Sequence, residues 1–73
     1  MIQKLVGKRI RHLRNKLGIS QEQFAEICAL DRTYITSVEC GKRNISLVNL
    51  EKISKAFDMS LSDFFNFNES EEN

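Results

Sequence analysis

Apolar residues recur every three to four positions along nearly all of this chain, and no proline interrupts them. That period belongs to the amphipathic helix, so the pattern predicts an all-α fold. With 73 residues, one domain is expected. A core this small is marginal, and many such domains gain stability by dimerising. Start and stop signals divide the pattern into five helices. The first runs from about Ile2 to Leu17, with Ile2, Val6, Ile10, Leu13 and Leu17 as its apolar stripe and Gly18 as its stop. Gly7 inside it should cost about 1 kcal/mol relative to Ala. Ser20 and Gln23 have the spacing of a capping box. They open a second helix whose buried side is expected to be Phe24, Ile27 and Cys28, with Ala25 small enough for close helix contact.

That helix ends near Ala29, and Asp31 can cap a third. Two short helices joined so tightly make a helix-turn-helix candidate. Ser46 opens a fourth helix with Leu47, Leu50, Ile53 and Phe57 on one face. Ser60 and Asp63 open a short, very apolar fifth containing Leu61 and Phe64, followed by Phe65 and Phe67. The expected domain spans residues 1–67, and residues 68–73 read as an acidic tail that frays.

Composition narrows the function classes. Charged residues at 29% and hydrophobics at 41% suit a soluble globular protein. No apolar run approaches a membrane span and the N-terminus has no signal-peptide core, so the cytoplasm is the default. Cys28 and Cys40 make no disulfide framework. With one histidine and no C-x-x-C, a structural zinc site is not expected, and no other cofactor is implied. Neither a nucleophile arrangement nor a phosphate loop points to an enzyme, and His12 reads as a surface residue. The net charge of +1 hides an asymmetry: residues 1–43 carry +5 and residues 44–73 carry −4. A basic half joined to an acidic half fits a protein with one surface for a polyanion, or simply two solvated faces.

The third helix breaks the tie. Ile35 and Val38 fall on one side, while Arg32, Thr33, Thr36 and Ser37 fall on the other, with Tyr34 and Glu39 at the boundaries. Thr and Ser are poor choices for an exposed helix surface. One long bidentate donor among short hydroxyls suits close approach to base edges in a major groove.

Residues 20–45 resemble the helix-turn-helix of the phage-repressor and Cro family, the XRE type. The resemblance lies in Gln21, Ala25, Ile35, Val38 and the run Glu39 to Lys42. It implies a compact, lambda-repressor-like five-helix domain. The strings LDRTYIT and GKRNIS look most like the controller proteins of restriction–modification systems. The resemblance implies roles for individual residues. Arg32, Thr33, Tyr34, Thr36 and Ser37 match the positions that read bases. Lys42, Arg43 and Asn44 match the loop on the DNA backbone. Gln21 matches a residue that touches phosphate and braces the third helix. Arg14 and Glu39 match an ion pair between the first and third helices. In this family the turn after the second helix often has Gly where this chain has Ala29; a left-handed Ala there stores roughly 1–2 kcal/mol.

The implied partners are double-stranded operator DNA of palindromic sequence, a second copy of the chain, and RNA polymerase if the protein activates. Phe64, Phe65 and Phe67 are too many aromatics for so short a helix to bury alone, so a dimer interface is expected to include them. Arg9, Arg11 and Lys16 read either as DNA-facing or as solubilising. Cys28 reads as a core residue; Cys40 has no assigned role, a redox thiol being the weaker reading. Two alternatives stand beside the controller reading: an antitoxin-like interaction module and a phage-type repressor.

Overall fold

The computed structural model describes residues 1–67; the expected tail, residues 68–73, lies outside them. Five helices follow in order: α1 (Ile2–Leu17), α2 (Gln21–Cys28), α3 (Arg32–Glu39), α4 (Leu47–Ala56) and α5 (Leu61–Phe64). No strand occurs among the described residues. None of the helices is long and apolar enough to cross a membrane.

The helix ends are made locally, by the residues the sequence places there. Ser20 Oγ accepts from the Gln23 backbone N–H at 3.0 Å, and Gln23 Oε1 accepts from the Ser20 N–H at 2.8 Å. This reciprocal box satisfies two otherwise orphaned donors. Ser46 and Ser60 cap α4 and α5 through the N–H groups of Asn49 and Asp63. Asp31 occupies the cap position of α3, but its carboxylate takes the Thr33 hydroxyl and makes no cap bond. Gly18 ends α1 in the left-handed region at φ 70°. Ala29 ends α2 the same way, at φ 58° and ψ 42°. The Leu30 N–H reaches back to Ala25 O at 2.9 Å and the Ala29 N–H to Glu26 O at 3.1 Å. That paired arrangement closes the helix end and forces the left-handed residue despite its Cβ.

α3 packs against α1 and α2, and α4 against α2 and α5. Between them lies one core of Val6, Ile10, Phe24, Ala25, Cys28, Ile35, Val38, Leu50, Ile53 and Phe64. The Phe24 and Phe57 rings stack at 4.6 Å. Gly7 lets α1 touch the end of α3: a Cβ there would stand 2.4 Å from Val38 O and 2.8 Å from Glu39 O.

Four residues expected in the core are exposed instead. Ile2 and Leu17 sit at the two ends of α1 and remain mostly in solvent. Ile27 is 58% exposed. At about 100° per residue, Ile27 lies roughly 60° beyond the edge of the arc spanned by Phe24, Ala25 and Cys28. Leu47 has the right angle but is 81% exposed, because it begins α4.

Arg9 departs from expectation in the opposite direction. It is buried, at 7% exposure, and is no solubilising residue. Its Nε donates to Phe64 O at 2.8 Å and its Nη2 to Asp63 O at 2.9 Å, with the Phe67 ring 5.7 Å from the guanidinium. A cation on the carbonyls that end a helix is favourable by charge and satisfies acceptors with no intrahelical donor. The single turn of α5 is held to α1 in this way.

Candidate nucleic-acid interface

α3 is held from behind and presents a polar front. Ile35 and Val38 are buried at 0% and 2% exposure. Arg32 and Thr33 are exposed, and Tyr34, Thr36 and Ser37 are half-buried. Lys42, Arg43 and Asn44 follow immediately, all exposed. Arg43 lays its guanidinium over the Tyr34 ring at 4.9 Å, which ties the loop to the helix front.

Glu39 organises the end of α3. Its carboxylate is buried and accepts from Arg14 Nε at 2.7 Å and Arg14 Nη2 at 3.0 Å, a forked, charge-assisted pair. Gln21 Nε2 donates to Glu39 Oε1 at 3.1 Å, and Arg11 Nε approaches the same oxygen at 3.5 Å. Burial by itself would raise the Glu39 carboxyl. The hydrogen bonds from Arg14 and Gln21, the Arg14 charge and the Arg11 contact outweigh it and hold the group below its ordinary range. Glu39 in turn raises Arg14 against its own desolvation. Arg14 Nη1 also donates to Ile19 O at 2.9 Å, so one guanidinium joins α1, the α1–α2 turn and α3.

Gln21 carries the restraint forward. Its Oε1 lies 3.0 Å from Thr36 Oγ1, which also lies 3.1 Å from Arg32 O. The Thr36 hydroxyl donates to one of these at a time, so its proton points back into the protein. Its acceptor lone pairs and methyl group are what it offers outward. One Gln21 N–H is used on Glu39, leaving the other for a ligand.

The structure does not bring together all the residues expected at a site. Phe64 is fully buried in the monomer core and offers no surface to a second chain. Phe65 is 42% exposed and Phe67 half-buried. Two positioning residues escaped the sequence reading: Arg9, described above, and Gln3, whose Nε2 donates to Asn44 Oδ1 at 2.6 Å. A glutamine in a basic helix carries no signal for a partner 41 residues away. Among the described residues no group of His, Cys, Asp and Glu could hold a metal ion.

A short helix fixed behind, polar in front, a tight turn away from the helix that braces it, defines a helix-turn-helix DNA-binding domain. The family profile described as Helix-turn-helix matches residues 10–64. The chain belongs to the XRE-type helix-turn-helix family of transcriptional regulators, and within it is similar to the control proteins of restriction–modification systems. Control protein C.MunI of Mycoplasma sp is 52% identical over 66 residues, covering 89% of each chain. The crystal structure of the controller protein C.AhdI from Aeromonas hydrophila superposes with a TM-score of 0.81 at 43% identity, over 86% of this chain and 91% of that one. The controller protein C.Esp1396I, solved as a tetramer with its natural 35 base-pair operator, gives 0.82 at 35% identity, over 89% and 86%.

Proposed function

We propose that this protein is the controller of a restriction–modification system: a cytoplasmic, sequence-specific transcriptional regulator that binds palindromic operator DNA as a homodimer. The observation that carries the reading is the front of α3. Arg32, Thr33, Tyr34, Thr36 and Ser37 stand on a helix whose rear is buried and whose end is pinned through Glu39. In this reading Arg32 pairs with a guanine edge, and the Thr methyl groups and hydroxyls meet neighbouring bases. Gln21, Lys42, Arg43 and Asn44 hold phosphates and set the register.

A second copy places the two reading helices about 34 Å apart on one side of the duplex. The apolar surface for that copy is Leu47, Val48, Leu61 and Phe65, all exposed on α4 and the α5 segment, with Phe67 at its margin. Phe64 shapes this surface from inside. Promoter occlusion by the dimer represses, and contact with RNA polymerase activates; the operator's position relative to the promoter decides between them.

Selection from a random duplex library tests the proposal. Enrichment of a two-fold symmetric motif is expected, and no enrichment would sink it. Arg32→Ala should relax preference at one base pair per half-site, by about 1–3 kcal/mol of discrimination. Arg43→Ala should weaken all sequences alike and lower the salt slope by about one.

A further inference from the structure

The buried carboxylate behind α3 fixes the direction in which hydrogen bonds run at its front. Arg14 donates two hydrogen bonds to Glu39, at 2.7 and 3.0 Å, and holds its carboxyl ionised. An ionised carboxylate only accepts. The end of the Gln21 amide that meets it at 3.1 Å is therefore the NH2 group. The other end, Oε1, is left facing Thr36 Oγ1 at 3.0 Å. An amide oxygen also only accepts, so between these two the hydroxyl is the donor. The second neighbour of Oγ1 is Arg32 O, 3.1 Å away, and it too is an acceptor. A threonine hydroxyl has one proton and two lone pairs. Whichever neighbour takes the proton, it stays inside the protein.

Thr36 stands half-buried on the polar front of α3, so this polarity matters to whatever lies against that front. A freely turning hydroxyl serves either donors or acceptors and distinguishes bases poorly. One whose proton is committed inward offers acceptors alone. In the major groove the donors are adenine N6 and cytosine N4, while guanine O6, purine N7 and thymine O4 are acceptors. Arg32, four residues earlier on the same front, has the opposite polarity, because a guanidinium only donates. The two side chains are suited to different atoms of the groove edge.

We propose that Thr36 reads an exocyclic amino group, adenine N6 or cytosine N4, because Gln21, oriented by Glu39, keeps the Thr36 hydroxyl proton turned inward. The proposal rests on the DNA-binding reading and assigns the chemistry of one contact within it. Gln21 and Glu39 are positioning residues for that contact: they set the base choice without touching the base.

The test uses the full chain and begins with selection from a random duplex library by the wild type and by Thr36→Val, which keeps the side-chain shape and loses the hydroxyl. One column of the motif per half-site should lose its preference, and no change in any column overturns the proposal. At that base pair two single-atom deletions are then compared in one half-site. Purine for adenine, or pyrimidin-2-one for cytosine, removes the amino group. 5-Methylpyrimidin-2-one for thymine, or 2-aminopurine for guanine, removes the keto oxygen. Amino deletion should weaken the wild type by roughly 2- to 12-fold more than it weakens Thr36→Val, the range for one hydrogen bond. Keto deletion should weaken the two proteins equally. The comparison between proteins cancels the effect of each deletion on the duplex itself. A Thr36-dependent loss on keto deletion, or on neither deletion, overturns the proposal.

Thr36→Ser keeps the hydroxyl and should behave as the wild type; behaviour like Thr36→Val would show that the methyl group carries the preference and overturn the assignment. Thr36→Ala repeats the comparison if Thr36→Val does not fold. Gln21→Met removes one of the two inward acceptors. Its affinity should fall on all sequences, and its amino-over-keto difference should shrink as well. A full difference in Gln21→Met overturns the positioning role. If the wild type selects no motif and binds no duplex, the DNA-binding reading fails with the proposal. If it selects a motif and only the deletions disagree, the polarity of Thr36 alone is wrong.

Discussion

Ala29 stores strain that one substitution should release. It sits at φ 58° and ψ 42° because the end of α2 is closed by the Leu30 and Ala29 N–H groups on Ala25 and Glu26. A left-handed L-residue costs roughly 1–2 kcal/mol, and glycine adopts the region freely. Glycine also gives the unfolded chain more freedom, which takes back about 0.4–1 kcal/mol. Ala29 is exposed, so its methyl group supplies little core contact to lose. Ala29→Gly should therefore stabilise the protein by about 0.8 kcal/mol, or roughly 3–6 °C in Tm for a domain of this size. Gly18 provides the mirror experiment. It ends α1 at φ 70° with nothing within 4 Å of a Cβ, so Gly18→Ala isolates the strain and should destabilise by about as much. Urea and thermal unfolding at one fixed protein concentration measure both, since the proposed dimer would make apparent stability concentration-dependent. If Ala29→Gly is no more stable than wild type while Gly18→Ala is destabilised, the strain argument for α2 is refuted. DNA affinity should not change in Ala29→Gly, because the turn it favours is the one already present.

Further expectations concern the junction of α1 and α3. Glu39→Ala leaves the Arg14 guanidinium, 12% exposed, without its partner. Breaking such a pair costs about 3–5 kcal/mol, a large part of the roughly 4–11 kcal/mol available to a chain this long. Urea unfolding should show a loss of about 3–5 kcal/mol, and a shift under about 1 kcal/mol would contradict the buried-pair cost. Because the folded Glu39 carboxyl is depressed, its contribution is fully present above the ordinary carboxylate pKa of about 4.3. It fades as pH falls from there through the lower folded value. Acid titration of stability should show this loss, and Glu39→Gln should flatten it. Gly7→Ala should destabilise by about 1–2 kcal/mol, the overpacking against Val38 O and Glu39 O exceeding the gain in helix propensity. A Gly7→Ala variant more stable than wild type would show that α1 can move away from α3 without loss.

What could be read from the sequence is what its chemistry settles within one helical turn. Ser20, Ser46 and Ser60 bond to N–H groups three residues on, so their effect depends on no other part of the chain. Gly18 and Ala29 end helices through carbonyls a few residues back. The five helices and the split of α3 into buried Ile35 and Val38 and a polar front follow from that local chemistry and from period. The Arg14–Glu39 pair entered only through family resemblance. Gly7 looked like a weak point in a helix; only its closeness to the α3 carbonyls shows why a Cβ does not fit.

Tertiary structure decided the rest, because those contacts join residues that topology alone brings together. Arg9 meets Phe64 across 55 residues, and Gln3 meets Asn44 across 41. Angle on a helix says which face a residue takes but not whether another element covers it. Leu47 is therefore left in solvent, while Phe64, one of three neighbouring aromatics, fills the core. The polar front of α3 belongs to the sequence. Its fixed position, through one carboxylate shared by Arg14, Gln21 and Arg11, belongs to the fold.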